Sequence, residues 1–246
     1  RGGGLFGSDS KTGSIGNVTI NLARLGYLYK GDEQGLLNRL DELMDLAKES
    51  LESKRKFILE MMERGLYPYT SRYIHSLDTF FSTIGINGAN EMIRNFTNDK
   101  HNIVDDYGQA MAMRLLTHIR ERMEMYKTST GNLWNLEASP GEAACHKFAR
   151  EDAKRFPDII QAGTPKNNYY TNSTQLPVSY TNDPFAALEK QDDLQCMYTG
   201  GTVLHMYMGE AVSSGDACKS FVKKILTNFR LPYISITPTF SVCPTH

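Results

Sequence analysis

The stretch Gly131-Asn-Leu-Trp-Asn-Leu-Glu-Ala-Ser-Pro-Gly-Glu-Ala-Ala144 combines a short apolar run, a Ser-Pro-Gly turn and the start of a helical segment over 142–155. We expect a strand that ends in a tight turn and passes directly into a helix. The first N–H groups of such a helix have no partners within it, and its dipole favours negative charge. The stretch therefore predicts either a phosphate-binding turn or an ordinary strand–turn–helix corner.

The composition is typical of a globular chain without a strong electrostatic preference. The chain has 246 residues, of which 40% are hydrophobic, and its 27 Lys and Arg residues nearly balance 28 Asp and Glu. This balance argues against nucleic acid or an anionic membrane as a partner. No apolar run approaches the roughly 20 residues that span a bilayer, and the N-terminus lacks the apolar core of a signal peptide.

The four cysteines, Cys145, Cys196, Cys218 and Cys243, are widely separated. They form no C-x-x-C pair, and the histidines show no ligand spacing, so the sequence predicts no complete metal site. Thiols without a disulfide framework are typical of a reducing compartment, and we expect a cytoplasmic protein. The chain does not begin with Met, and we expect it to be part of a longer protein.

Strand-like and helical segments alternate along the chain, which predicts an α/β fold with parallel or mixed strand pairing. The predicted strands are 15–22, 80–86, 133–137 and 232–240, while 168–176 is a strand or a strand-like crossing and 200–208 is a turn followed by a strand. The predicted helices are 33–64, a short one after 88, 105–127, 142–155, 184–197 and 216–229. Ligands of α/β sheets bind at the carboxyl ends of strands, so the polar strand ends predict the wall of one cavity.

Polar residues within or beside predicted strands are the first candidates for a binding site. Asn21 can bond a sugar hydroxyl, or it can bond a neighbouring strand. The Asn172-Ser173-Thr174 cluster is costly to bury without partners, so it either faces a ligand or is half solvated. The Gly200-Gly201 pair permits close approach of a ligand, or forms a plain turn.

Two carboxylates and one thiol flank the Ser-Pro-Gly turn. Glu137 and Glu142 can each act as a general acid or base if the surroundings raise the pKa. Alternatively, Glu142 serves the helix dipole. Cys145 lies early in the helix, where it is either a stabilised thiolate or a buried apolar side chain.

Several motifs occur together in one order: Ser14–Leu22, Phe81–Gly88, Gly131–Pro140, Lys147–Pro157, Tyr170–Val178, Tyr198–Val203 and Ile236–Pro244. Together they resemble the C-terminal half of the catalytic barrel of the anaerobic (class III) ribonucleoside-triphosphate reductases. The resemblance covers nearly all of residues 1–246. It implies an α/β fold that is half of a ten-stranded α/β barrel of the glycyl radical enzyme and ribonucleotide reductase type.

The resemblance implies anaerobic reduction of ribonucleoside triphosphates to 2′-deoxyribonucleoside triphosphates by glycyl and thiyl radical chemistry. A thiyl removes the hydrogen at C3′, water leaves from C2′, and formate or a thioredoxin-like system is the reductant. The thiyl cysteine is expected upstream of this chain, and the structural zinc and the glycyl radical downstream. The implied partners are a radical S-adenosylmethionine iron–sulfur activase, allosteric ATP and deoxynucleotides, and a second copy in a homodimer.

The resemblance also implies roles for individual residues. It assigns Asn21 a contact to the ribose. Gly141 and Cys145 stand where the family more often has Ala and Ser. Backbone contacts to the phosphates are assigned to Ser139, Pro140, Gly141, Glu142, Ala143 and Ala144. Further cavity wall is assigned to Asn172, Ser173, Gly200 and Gly201.

Two other functions stay open at this point. Another glycyl radical enzyme, of the formate-lyase or dehydratase kind, acts on small acids or alcohols and needs no phosphate turn. A nucleotide-binding domain without catalysis needs the turn but no radical partner. Phosphates bound at 139–144 distinguish the reductase from the first alternative, and turnover distinguishes it from the second.

Overall fold

The computed structural model describes residues 11–139, 141–178, 180–208 and 212–238. Strands and helices alternate along most of this length, as the sequence predicts. The strands are β1 (Gly13–Asn21), β2 (Phe80–Asn87), β3 (Leu133–Glu137), β4 (Ala162–Thr164), β5 (Asn167–Tyr169), β6 (Leu204–Met208) and β7 (Ile234–Pro238). The helices are α1 (Leu22–Leu28), α2 (Glu33–Glu63), α3 (Pro68–Tyr73), α4 (Ala89–Phe96), α5 (Asp106–Thr130), α6 (Glu142–Arg155), α7 (Pro184–Gln195) and α8 (Gly215–Asn228).

The centre of the fold is a parallel sheet in the order β1-β2-β3. Its register places Asn17 beside Thr83 and Thr83 beside Asn135. The next row is Thr19, Gly85 and Glu137, and the row after it pairs Asn21 with Asn87. Since side chains alternate between the faces of a sheet, these rows form one continuous polar face.

The opposite face of the sheet is apolar and packs against the long helices α2 and α5. Both helices are amphipathic and begin at aspartates: Asp32 accepts a hydrogen bond from Gly35 N (2.9 Å), and Asp105 accepts one from Gly108 N (2.8 Å). This packing builds the main core. Its members include Ile20, Ile84, Ile86, Trp134 and Leu136 from the sheet and Leu36, Leu40, Met44, Leu51, Leu115, Leu116 and Ile119 from the helices.

A second, smaller parallel sheet, β6-β7, packs on α7 and α8 through its own apolar cluster. The turn before β6 connects this second sheet to the central sheet through hydrogen bonds. Ala138 N donates to Gly201 O (2.9 Å), and Gly200 N donates to Leu136 O (2.8 Å). The Gly200-Gly201 turn therefore lies against the carboxyl end of β3.

The first predicted strand, 15–22, is one residue too long, and helix α1 was not predicted. Asn21 ends β1, and its Oδ1 accepts a hydrogen bond from Arg24 N (3.2 Å), which makes it the N-cap of α1. Leu22 therefore starts a helix. The residue types carried this signal, because Asn is a favoured N-cap and Leu-Ala-Arg-Leu follows it. Helix α3, which begins with Pro68, was also not predicted.

The predicted strand at 168–176 is wrong over most of its length. Only its start is extended, in the antiparallel hairpin β4-β5. The rest of this predicted strand, 170–176, is irregular apart from an isolated bridge between Asn87 and Asn172. Ser173 adopts a positive φ of 44°, which a strand does not allow. Tertiary hydrogen bonds, described below, replace the expected ladder.

Further boundaries differ from the prediction by a few residues: α5 ends at Thr130 rather than at 127, and α7 ends at Gln195 rather than at 197. The turn and strand predicted at 200–208 are confirmed, since β6 begins at Leu204 after a turn. The last predicted strand, 232–240, is present as β7, and its residues after 238 lie outside the described part. Among the described residues, no helix is both long and apolar enough to cross a membrane.

We predict that Gly26→Ala destabilises the protein by about 1–3 kcal/mol, as expected for overpacking. Gly26 lies where α1 crosses α4, and an added Cβ would be 2.2 Å from Met92 O. Urea denaturation measures the change. Gly215→Ala at the start of α8 is the control, because its Cβ would have no neighbour within 4 Å. Equal stability of the two variants would contradict the close α1–α4 contact.

Candidate functional site

The polar face of the central sheet is organised around Glu137. Asn17 Nδ2 donates to Glu137 Oε2 and also to Ser139 Oγ (3.2 Å). Gly85 lies beneath these side chains, and a Cβ there would be 1.9 Å from Ser139 Oγ. Only glycine at this position lets the chain after β3 fold back over the sheet.

Burial raises the pKa of the Glu137 carboxyl, while the hydrogen bond from Asn17 partly opposes the rise. A carboxyl whose pKa is raised can hold a proton closer to neutral pH than an exposed one. Glu137 is therefore suited to proton transfer. Its neighbour Gly201 leaves it uncovered on one side, since a Cβ there would be 3.3 Å from Glu137 Oε1.

The N-terminus of α6 has no side-chain cap. Gly141 is the N-cap residue, and its own N–H donates to Asn172 Oδ1 (3.3 Å) and to Ser139 O (2.9 Å). The next three N–H groups, those of 142–144, have no partners within the helix. This helix end is therefore able to bind an anion. Pro140 of the predicted turn lies outside the described residues.

The segment Thr171–Ser173 is held over the sheet by buried side chains. Glu91 is fully buried and accepts hydrogen bonds from Thr171 N (2.9 Å) and Thr171 Oγ1 (2.8 Å). Ser173 donates through its N–H to Asn87 Oδ1 (3.0 Å) and through Oγ to Ile86 O (2.9 Å). The unusual φ of Ser173 is thus stabilised by the end of β2.

A second buried carboxylate, Asp152 on α6, joins β1 to the same segment. It accepts hydrogen bonds from Asn21 Nδ2 (2.8 Å), Arg24 Nε (2.7 Å) and Tyr170 Oη (2.9 Å). Arg24 also forms a salt bridge to it at 2.5 Å. Both the carbonyl and the amide group of Asn21 therefore already have partners within the protein.

Two amide atoms on the polar face have no partner. Asn87 and Asn135 are buried, and neither Asn87 Nδ2 nor Asn135 Oδ1 makes a hydrogen bond. A buried amide group without a partner is unfavourable, so each atom is a potential ligand contact.

The predicted site residues fall into three places. A cavity of about 550 Å³ is lined by Ser139, Glu142, Asn172 and Ser173, with Cys145 and His146 beside them. Asn21 lines a separate cavity of about 400 Å³, together with Thr19, Arg24, Arg39 and Phe148. Gly200 and Gly201 border Asn135 and Glu137 at the end of β3.

Cys145 is 2% exposed and donates to Asn172 Oδ1 at 2.9 Å. Burial, followed by the negative charges of Glu91 and Glu142, raises its pKa to about 12. Of the two interpretations from the sequence, the structure supports the buried, protonated thiol. Cys145 and Gly141 N both bond Asn172 Oδ1, so the thiol helps to orient the turn.

The site offers anion-binding N–H groups, a polar surface and one carboxyl suited to proton transfer. Among the described residues, no group of three His, Cys, Asp or Glu side chains is placed to hold a metal ion. The family model of the anaerobic ribonucleoside-triphosphate reductases matches residues 1–246. The chain belongs to this family.

Curated relatives in this family are distant in sequence. The enzyme of Haemophilus influenzae is 24% identical over 206 residues, which cover 78% of this chain and 29% of the relative. The Escherichia coli enzyme is 22% identical over 206 residues, with the same coverage of 78% and 29%. The chain thus spans less than a third of the length of the curated relatives it matches.

Solved structures of the family confirm the predicted fold. The anaerobic ribonucleotide reductase of Thermotoga maritima with MES in its active site has a TM-score of 0.82 and 25% identity, and the match covers 100% of this chain and 41% of that one. The same enzyme with dATP and CTP has a TM-score of 0.76 and 25% identity, over 92% of this chain and 37% of that one. The described residues form part of an α/β barrel, as predicted.

The site contains residues that the sequence analysis did not identify as functional. Asn87, Glu91 and Asp152 form or support its walls, yet none stands in a recognisable spacing. For two of these residues, the available signal was a polar residue in a segment that is otherwise buried. Asn87 ends a buried strand, and Glu91 lies in a helix whose residues are mostly buried. Their partners are far away in sequence and were not predictable.

We predict that iodoacetamide at pH 8 leaves Cys145 unmodified in the native protein while Cys218 reacts. A pKa of about 12 leaves only about one thiolate in ten thousand at pH 8, and the thiol is also buried. Cys218 on α8 is partly exposed. Peptide mass spectrometry compares the two sites in one digest, and labelling in urea is the control. Equal rates in the native protein would contradict the buried thiol.

Proposed function

We propose that this chain forms, over residues 1–246, the C-terminal half of the catalytic barrel of an anaerobic ribonucleoside-triphosphate reductase. In this proposal the barrel reduces ribonucleoside triphosphates to their 2′-deoxy forms. One observation supports it most: in a chain of this family, the uncapped end of α6 and the segment 171–173 line one cavity. Ser139, which lines that cavity, accepts a hydrogen bond from Asn17 on the polar sheet face, so the cavity borders that face.

The triphosphate is proposed to bind at the start of α6. The N–H groups of Glu142, Ala143 and Ala144 point away from the helix body and have no partners within it. Ser139 and Asn172 line the same cavity. The Glu142 carboxylate is exposed in the first turn, so it can turn into solvent when an anion binds.

The ribose is proposed to lie across the polar face, between Asn21 and Glu137. An Asn amide has two N–H donors. Asn21 directs Nδ2 to Asp152, and the remaining N–H is available for a ribose hydroxyl. Gly200 and Gly201 keep the end of β3 free of side chains, so that the sugar can approach Glu137 closely.

Glu137 is proposed to hold the proton that the C2′ hydroxyl needs to leave as water. The raised pKa favours the protonated carboxyl, and Asn17 fixes its orientation. The glycyl radical of the family supplies the hydrogen-atom abstraction at C3′ through a cysteine thiyl. Cys145 does not fit that role, since it is buried and bonded to Asn172.

The proposal includes the partners of the whole enzyme. These are a radical S-adenosylmethionine activase, allosteric ATP and deoxynucleotides, a structural zinc outside the described residues, and a second copy in a homodimer. The reductant is formate or a thioredoxin-like protein. The full-length enzyme, activated without oxygen, is assayed for deoxynucleotide formation with each reductant in turn. Nucleotide binding without turnover under both conditions would favour a non-catalytic domain.

A structure of the full-length enzyme with a bound substrate tests the site directly. The proposal places the phosphates at 139–144 and the ribose over Glu137. Phosphates bound elsewhere in the barrel would contradict the assignment to this turn. Binding of a small acid or alcohol in place of the nucleotide would instead favour the other glycyl radical enzymes.

We predict that Asn21→Ala lowers turnover by about tenfold or more through loss of a hydrogen bond to the ribose, and lowers stability by about 1 kcal/mol through loss of the α1 cap. Asn21→Ser is the matched variant, because serine caps a helix but lacks the amide donor. It should recover the share of the stability that the cap contributes, without the bond to Asp152, and it should not recover the turnover. If turnover returns with the cap, Asn21 serves only as a cap.

We predict that Glu137→Gln lowers turnover by about 100-fold or more, the usual loss for a general acid. Because the pKa of Glu137 is raised in the folded state, its contribution to stability is complete at acidic pH and is lost as pH rises through that pKa. The melting temperature of the variant relative to wild type should therefore rise from pH 4 to pH 8. Glu121→Gln, exposed on α5, is the control and should keep full turnover.

A further inference from the structure

Asn87 is a fully buried amide of which only one end has a partner. Its relative exposure is 0%, and Oδ1 accepts the N–H of Ser173 at 3.0 Å. Nδ2 makes no hydrogen bond. This bond fixes the orientation of the amide group, because flipping it would place the Nδ2 donor against the N–H donor of Ser173. Nδ2 is therefore a donor without an acceptor.

The free Nδ2 faces the start of α6. A Cβ built on Gly141 would lie 3.1 Å from Asn87 Nδ2. Gly141 is the N-cap of α6, and the unpaired N–H groups of 142–144 follow it. Because Gly141 has no side chain, no Cβ stands between Nδ2 and this helix end. Two independent features, the helix end and a buried side-chain donor, thus converge on one place.

The cavity beside them is lined by two histidines, His146 and His205, but its described lining has no residue with a permanent positive charge. Its lining residues include neither Lys nor Arg among the residues that the structure describes. The charges of Glu91 and Glu142 are close enough to raise the pKa of Cys145. An anion at this place is therefore held by directed hydrogen bonds rather than by lysine or arginine. Each N–H donor then contributes a larger share of the affinity for the anion.

We propose that Asn87 Nδ2 donates a hydrogen bond to a phosphate oxygen of the bound nucleotide and so completes the anion site at α6. This rests on the proposed function, which places the triphosphate at residues 139–144. Asn87 is then a substrate-binding residue of the second strand. The contact recognises the polyphosphate and not the nucleoside.

Asn87→Asp in the full-length enzyme tests the contact. The carboxylate keeps an acceptor for Ser173 N and replaces the free donor by a negative oxygen. We expect binding of a ribonucleoside triphosphate to weaken by about tenfold or more, the value of one hydrogen bond to a charged group. Binding of the unphosphorylated nucleoside should not change. Equilibrium dialysis measures both, and melting curves verify folding.

Asn87→Ser tests the same contact without adding charge. The shorter hydroxyl side chain removes the amide donor that lies beside Gly141, so we expect weaker binding of the triphosphate only. Asn132→Asp is the matched control. Asn132 precedes β3 at the opposite end of the sheet and donates to Glu52 Oε2 (2.8 Å), so its replacement should not affect triphosphate binding.

The outcomes separate this inference from the proposed function. If the wild-type enzyme binds and reduces triphosphates while Asn87→Asp and Asn87→Ser bind them as tightly as wild type, Asn87 does not contact the phosphates and the inference is overturned. Inorganic tripolyphosphate is the second probe. If it binds in an Asn87-dependent way to an enzyme that neither binds nor reduces nucleotides, the anion contact is supported and the proposed function fails.

Discussion

The two faces of the central sheet differ in polarity, and the rest of the structure follows from this difference. Parallel strands are commonly apolar on both faces, because helices cover both. Here Ile84 and Ile86 face the long helices, while Asn17, Thr83 and Glu137 face the other way. Polar groups on a covered face require hydrogen-bond partners. The chain supplies them by folding three parts over the carboxyl end of the sheet, namely Ser139 with Gly141, the segment 171–173 and the turn 200–201.

Those segments are fixed by buried carboxylates rather than by regular secondary structure. Glu91 binds Thr171, and Asp152 binds Asn21 and Tyr170. A charge-assisted hydrogen bond in a buried setting is stronger than a neutral one and is directional. The walls of the site are therefore preorganised before a ligand arrives. In the described part of the site, Asn87 Nδ2 and Asn135 Oδ1 stay unpaired, and our proposal assigns the first of them to the ligand.

The sequence was sufficient where structure depends on local residue types. The strand at 133–137, the helix at 142–155 and the two long helices were predicted from residue types and periodicity. The strand at 168–176 was wrong, because its hydrogen bonds come from Glu91 and Asn87, about 80 positions earlier. Asn21 was noticed as a polar residue in an apolar strand, but its bond to Asp152 joins residues 131 positions apart. No local pattern encodes such pairs.

The absence of a loop between β1 and α1 has a consequence for sequence length. Asn21 ends the strand and caps the helix that begins at Leu22, so one additional residue would turn α1 by about 100° about its axis. Gly26 would then no longer meet the backbone of Met92, and a larger side chain would take its place. Insertions and deletions should thus be excluded from this junction in natural variants, while the surface turn after α2 can change length freely.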